Sequence, residues 1–326
     1  MPTESPLLTI AVPTYNRVSS LEILLRHLAP QIEDAPEIEL IVCDNASTDG
    51  TPQLVERLAA TKVVDRYLRS EANLGMDGNF LRCFENARGK YLWLVGDDDI
   101  VVPGALARVM EILRESSPDL LFFRHSVFDD TFLPKPDDLQ ERSTPKVYHD
   151  AKEFLHAVNR RGDFAFLSTL VVNRDRAKAE LQIPLRELEG SLLTQLGWVY
   201  SLLADLQSGI ILEERLVAGR GGNSGGYGAA KIFGVNWHQL AMRVLHRRPD
   251  ILRAVVDDHL STWFPAHWVA IRRSSTQFHI EEAESMLRSC YGNDLKYWTH
   301  VWPLVKAPVG IAAAYARLLR ALNRLL

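Results

Sequence analysis

Three carboxylates stand side by side at Asp97, Asp98 and Asp99, directly after Gly96 and the apolar run 91–95. Like charges at that spacing raise one another's proton affinity, and they cost stability unless a cation or several hydrogen-bond donors compensate. Hard oxygen ligands at the end of a strand suit Mg²⁺ or Mn²⁺, ions that commonly share their coordination with substrate phosphates. The plain alternative is a solvated acidic turn ahead of a helix near Pro103. Three further polar clusters argue against it, because 13–17, 44–49 and 70–75 each follow an apolar run of their own.

The elements that must position these clusters follow from periodicity. Residues 7–12, 38–43, 63–68 and 91–95 read as strands. Between and after them, 18–28, 51–60, 77–87 and 103–115 read as helices; Val18, Leu21, Leu24, Leu25 and Leu28 have helical spacing. Thr51 reads as an N-cap with Pro52 at the first helical position. A strong strand is expected over 120–127. Strands alternating with helices predict βαβ units and a mostly parallel sheet, which binds ligands at the carboxyl ends of its strands. All four polar clusters fall at those ends. Further on, 129–146 reads as a surface loop, 164–172 as a strand, 192–206 as a helix and 210–217 as a strand. The stretch 219–228, GRGGNSGGYG, is glycine-rich, and the chain beyond Ala229 reads as helical. There is no internal repeat.

In the order and spacing of its motifs the chain resembles the family 2 glycosyltransferases, with their GT-A fold. The likeness rests on Pro13-Thr14-Tyr15-Asn16-Arg17, on residues 42–51 around Asp44, on Asn73-Leu74-Gly75, and on residues 91–100 with Pro103 behind them. It is close over about 7–127 and weak afterwards. The resemblance implies that Pro13, Tyr15 and Arg17 form a first nucleotide-contacting loop. It implies that Asp44 accepts hydrogen bonds from the base and that Asn73 and Gly75 run beside the nucleotide. Asp97, Asp98 and Asp99 match the acidic motif. Aligning on Ile100 and Pro103 puts Gly96 where the commonest family form has its first aspartate. Asp98 and Asp99 are then the expected metal ligands, with Asp97 nearer the ribose. Asn45 stands where many members have another Asp. The residue types suit this reading without the name: a sugar nucleotide needs a slot for the base, an acceptor for the ribose hydroxyls and a cation for the diphosphate.

The resemblance also implies inversion by direct displacement, which requires a carboxylate to take the acceptor hydroxyl's proton. Glu189 is the first candidate, Glu187 the second and Asp205 an outside one; the family's usual Glu-Asp pair is absent. The plain reading of Glu189 is a carboxylate favoured at a helix N-terminus. The loop 219–228 can serve as a water-excluding lid, with Arg220 and Asn223 on the diphosphate. It lacks a P-loop signature and a dinucleotide fingerprint. From Leu295 to the end there is no acidic residue, while Lys296, Lys306, Arg317, Arg320 and Arg324 are basic. A basic amphipathic helix at 311–326 suits a membrane surface or, more plainly, packing on the domain or on another subunit.

Composition sets the outer bounds. The 326 residues, 47% hydrophobic and 24% charged, fit an ordinary globular protein, and the formal charge of −4 argues against nucleic-acid binding. Cys43, Cys83 and Cys290 fit neither a zinc site nor a disulfide framework and read as reduced thiols. His125, His238 and His267 read as structural. No signal peptide or membrane-spanning helix is expected. The resulting expectation is an α/β GT-A catalytic domain over 1–228, with a donor half to about 127, and a helical region over 229–326. It would be a cytoplasmic enzyme, at the inner face of the membrane if the C-terminal helix binds there, and a homo-oligomer if that helix packs on a second copy. It would use Mn²⁺ or Mg²⁺ to move a sugar from a nucleoside diphosphate to a saccharide or lipid-linked acceptor, in bacterial surface polysaccharide (O-antigen-like) assembly of the abequosyltransferase-like kind. Two rivals are a non-catalytic nucleotide-sugar-binding module and a sugar-phosphate nucleotidyltransferase. The second would need a Gly-rich loop with an Arg after the first strand, where this chain has residues 13–17.

Overall fold

In the computed structural model, residues 5–128, 142–159, 166–181, 183–221, 228–273 and 282–325 are described. Three βα pairs open the chain: β1 (Leu8–Thr14) and α1 (Val18–Ile32), β2 (Ile38–Asp44) and α2 (Thr51–Ala60), β3 (Arg66–Arg69) and α3 (Gly75–Asn86). They are followed by β4 (Tyr91–Leu94), the short β5 (Ile100–Val101), α4 (Ala105–Ser116) and β6 (Leu120–Phe128). Next come β7 (Lys146–Tyr148), α5 (Ala151–Asn159), β8 (Leu170–Asn173), α6 (Arg174–Glu180), α7 (Gln195–Ala204) and β9 (Gly209–Arg220).

One sheet carries all nine strands, in the order β3-β2-β1-β4-β8-β6-β9-β5 with β7 also on β9. The register of β1 with β2 and β4, and of β2 with β3, is parallel. Parallel pairing is continuous over this half and recurs once beyond it, between β6 and β9. Beyond it β8 runs antiparallel to β4 and β6, and β5 and β7 run antiparallel to β9.

Side chains alternate between the two faces, as a strand requires. Leu8, Ile10 and Val12 of β1 pack into a core with α1, α2 and α4. Ala11, from the same strand, packs into the opposite core with α3, α5 and α7. That second core runs on without a break through Trp237, Leu240, Phe264, Trp268, Leu287, Tyr297 and Leu304. These belong to α8 (Trp237–Val244), α10 (Phe264–Arg272), α11 (Ala283–Tyr291), α12 (Trp302–Lys306) and the helical turns joining them, with α9 (Pro249–Asp258) alongside. The helical region after Ala229 is thus a third helical layer, packed on α5 and α7 and continuous with the core beneath them. The last helix, α13 (Val309–Leu325), lies on α10 and α12. No helix among the described residues is long and apolar enough to cross a membrane.

Local chemistry differs from expectation at α2. Thr51 is its first helical residue and Gly50 its N-cap; Asp49, one residue earlier, accepts from Thr51 N–H with one Oδ and from Val18 N–H at the start of α1 with the other. One carboxylate therefore closes two helix starts. The three cysteines are free thiols.

Candidate active site

The carboxyl ends of β1, β2, β3 and β4 lie along one sheet edge, as their parallel register dictates. At β4 the chain turns tightly through Gly96, with Asp99 N–H bonded to the Gly96 carbonyl at 3.1 Å. A Cβ on Gly96 would stand 2.8 Å from Asp99 Oδ2 and 3.3 Å from Asp98 Oδ1. Glycine at the position of the family's usual first aspartate is what lets the next carboxylates fold back over the turn.

Each of those carboxylates has a different setting. Asp97 is buried; its Oδ2 accepts from Thr14 Oγ1 at 2.7 Å and its Oδ1 from Arg17 Nη1 at 3.1 Å. Asp98 is more open, with 16% of its side chain exposed, and pairs with the same Arg17 Nη1 at 3.0 Å. Asp99 is buried; its Oδ2 accepts from Ser168 Oγ at 2.5 Å, and its Oδ1 faces the Arg220 N–H at 3.4 Å. Burial pushes the Asp97 carboxyl up to about 6 against the opposing pull of Arg17 and Thr14. Burial likewise pushes Asp99 up to about 7, aided by the charge of Asp98 and opposed by Ser168. Both carboxyls hold their protons more tightly than an ordinary Asp because loss of solvation outweighs the pull of Arg17 and Thr14 on Asp97 and of Ser168 on Asp99.

The second polar cluster is held from within. Asp44 is fully buried at the end of β2, where it accepts from Ser47 N–H at 2.9 Å and Tyr67 OH at 2.7 Å, with Arg69 Nε at 3.4 Å. There it anchors the 44–50 turn, with the half-exposed Arg69 beside it. Asn45 explains its own departure from the family pattern. Its amide donates to Asn73 Oδ1 and the Gly75 carbonyl while its oxygen accepts from Leu74 N–H, which pins the 70–75 loop. An aspartate cannot donate those two bonds. Pro13 is buried inside β1 opposite Cys43, and Tyr15 stands exposed just past the strand.

The structure therefore gathers Thr14, Arg17, Asp97 and Asp98 into one contact group. Asp99, Ser168 and Arg220 form a second, and Asn45, Asn73 and Gly75 a third. The Arg220 guanidinium lies over the Phe128 ring, and its backbone N–H faces Asp99. Asn223 lies outside the described residues, as does most of the glycine-rich loop. Among the described residues no three His, Cys, Asp or Glu side chains are grouped to enclose an ion.

Glu187 and Glu189 are exposed on a segment over 185–193 that is anchored by the buried Leu185, Leu188 and Leu193. Among the described residues no hydrogen bond or ion pair joins Glu189 to the acidic triplet, but its turn is tied to the same edge through Asp77, in the first turn of α3. The buried Asp77 carboxylate accepts from the N–H groups of Gly190 and Leu192 at 2.8 Å and of Thr194 at 3.3 Å. It stabilises a turn in which Gly190 and Leu192 both have positive φ. Asp205 belongs elsewhere. It pairs with Arg176 at 2.9 Å, and Arg176 also holds Asp119, at the amino end of β6 and the opposite sheet edge. Sequence reasoning missed Asp77 and Ser168. Both act across more than sixty positions of chain, and no local pattern marks them.

The chain belongs to glycosyl transferase family 2, whose pattern it matches over residues 9–173. It is similar to the abequosyltransferase RfbV of Salmonella typhimurium, at 30% identity over 52% of this chain and 54% of that protein. It is also similar to the GalNAc(5)-diNAcBac-PP-undecaprenol beta-1,3-glucosyltransferase of Campylobacter jejuni, at 30% identity over 43% of each. The chain thus aligns with about half the length, or less, of these curated relatives. In fold it is similar to S. aureus TarS 1–349 in complex with UDP-GlcNAc, with a TM-score of 0.64 and 16% identity over 98% of this chain and 91% of that one. The mannosyltransferase PcManGT of Pyrobaculum calidifontis, in complex with GDP-Man and Mn²⁺, matches with a TM-score of 0.51 and 19% identity over 99% and 88%. Nine strands in a mixed sheet, flanking helices and a helical C-terminal layer agree with the expected GT-A architecture.

Proposed function

We propose that this chain is a divalent-cation-dependent, inverting glycosyltransferase that moves a sugar from a nucleoside diphosphate to a saccharide or lipid-linked saccharide acceptor, in bacterial surface polysaccharide synthesis. The observation that carries the reading is the Arg17–Asp97–Asp98 group at the carboxyl edge of a parallel half-sheet. A half-exposed guanidinium, 40% accessible, already lies across two carboxylates. Its position marks where positive charge is needed and where it can be exchanged.

The residues present fit an Mg²⁺- or Mn²⁺-type ion. The donors are hard carboxylate oxygens, Asp98 is the accessible one, and such ions take one or two carboxylates plus substrate phosphates. When bound, the ion supplies charge to offset the negative charge growing on the departing nucleoside diphosphate. The chain's own residues do the rest. Thr14 and Arg17 hold Asp97 in place for the ribose, and Ser168 fixes Asp99 behind the turn. Asn45 shapes the 70–75 loop beside the nucleotide, and Asp77 presents the turn on which Glu189, with Glu187 as second choice, takes the proton of the acceptor hydroxyl. TarS in complex with UDP-GlcNAc, PcManGT with GDP-Man and Mn²⁺, and the undecaprenol-linked name of the Campylobacter relative support donor, ion and acceptor class respectively.

Thermal unfolding with Mn²⁺ and each of UDP-, GDP-, dTDP- and CDP-sugars tests the donor reading, since a ligand of the native state raises Tm. One nucleotide should stand out, and Asp98→Ala should remove both its shift and turnover. Unchanged transfer by that variant overturns the role of the acidic turn.

A further inference from the structure

We propose that the outward face of α13 is a docking surface for an anionic lipid bilayer. The helix has two apolar faces. One, carrying Ala312, Ala313, Ala316 and Leu319, is buried against α10 and α12. The other carries Ile311, Ala314, Leu318, Ala321 and Leu322, whose spacing places them on one stripe. That stripe faces outward, with Ile311 62%, Leu318 53% and Leu322 48% exposed. The patch does not end with the helix. Tyr315 OH donates to the Thr299 carbonyl, and Leu295, one turn before Thr299, is also exposed.

Charge selects the occupant. Arg317 borders the stripe and Arg320 lies farther round the helix, toward its packed face; both are exposed, their Nε groups bonded only to carbonyls of their own helix. No carboxylate among the described residues lies within ion-pair distance of either. A second copy docking through the same stripe would bring the two copies' Arg317 side chains toward the seam, with no acid from Leu295 onward to answer them. A negatively charged surface answers both features at once: the apolar stripe enters the headgroup boundary while the guanidinium groups meet lipid phosphates. At seventeen residues, with one face committed to the protein core, α13 lies along such a surface and does not cross it.

The test uses the full chain and vesicles, with no donor, acceptor or turnover, so its outcome is independent of the enzymatic reading. Cosedimentation should be about tenfold stronger with phosphatidylcholine vesicles containing about 30 mol% phosphatidylglycerol than with phosphatidylcholine alone, and should fall several-fold at high salt. The double variants Leu318→Asp/Leu322→Asp and Arg317→Ala/Arg320→Ala should each lose most of this binding. Because all four side chains are exposed, Tm should stay at the parent value. Equal binding by parent and variants, no preference for anionic vesicles, or a parent dimer that the leucine variant splits by light scattering would overturn the proposal.

Discussion

At the scale of single residues, the acidic turn is three groups with three settings. Asp98 is the accessible carboxylate, Asp97 is clamped between Thr14 and Arg17, and Asp99 is tied to Ser168. The upward shifts of Asp97 and Asp99 fix the sign of a pH effect. The folded chain binds these two protons more tightly than the unfolded chain, whose carboxyls titrate near the ordinary 3.8. Ionising them therefore costs stability above about pH 7, and that cost is relieved as pH falls toward about 4. Binding of cation and nucleotide runs the other way, because it must expel those protons. The Tm increase given by Mn²⁺ plus the preferred nucleotide should be larger at about pH 8 than at about pH 5.5; an equal increase at both would show that these carboxyls do not titrate on binding. Gly96 gives a second prediction. Gly96→Asp should lower stability by about 1–3 kcal/mol in thermal unfolding, because the new side chain presses on Asp98 and Asp99.

At the scale of elements, the donor edge was legible because it depends on short-range signals. Alternating strands and helices and polar clusters after apolar runs predicted β1 to β4 within a few residues. The rest depends on contacts that no window contains. The strands β5 and β7 are two and three residues long, and α6 is seven, under two turns; none is long enough to repeat its period distinctly. The extension of β9 to Arg220, past the expected end at 217, is set by pairing with β5 and β6. Asp77 reads locally as an acid in a helix's first turn, yet its carboxylate gathers three N–H groups of the turn carrying Glu189. Asp77→Ala leaves those donors unanswered, so Tm should fall by an amount equivalent to about 2–4 kcal/mol. Transfer should fall further than nucleotide binding, as measured by turnover against thermal shift on the same sample. A variant that loses both in equal proportion would make Asp77 structural only.

At the scale of the whole molecule, the expected boundary near residue 228 is a change of secondary structure within one hydrophobic core. Phe84 stacks on Trp198 at 4.7 Å, and Tyr200 meets Trp237 edge-on at 6.4 Å, so aromatic contacts run from α3 through α7 into α8. A fragment ending at residue 228 would leave the face of α7 uncovered. It should aggregate or stay expanded on size exclusion, while the full chain unfolds in a single transition. A monomeric, cooperatively unfolding fragment would show that the sheet stands without its third layer.

The bridging arginine has a consequence for how the enzyme would load. A lone divalent ion approaching Asp98 must turn Arg17 out into water. A nucleoside diphosphate arriving with that ion offers the guanidinium a fresh anionic partner, so eviction becomes an exchange. Ion and donor should consequently help each other in, each weak alone. Their joint Tm increase should exceed the sum of the separate ones, and Arg17→Ala should make the two increases additive.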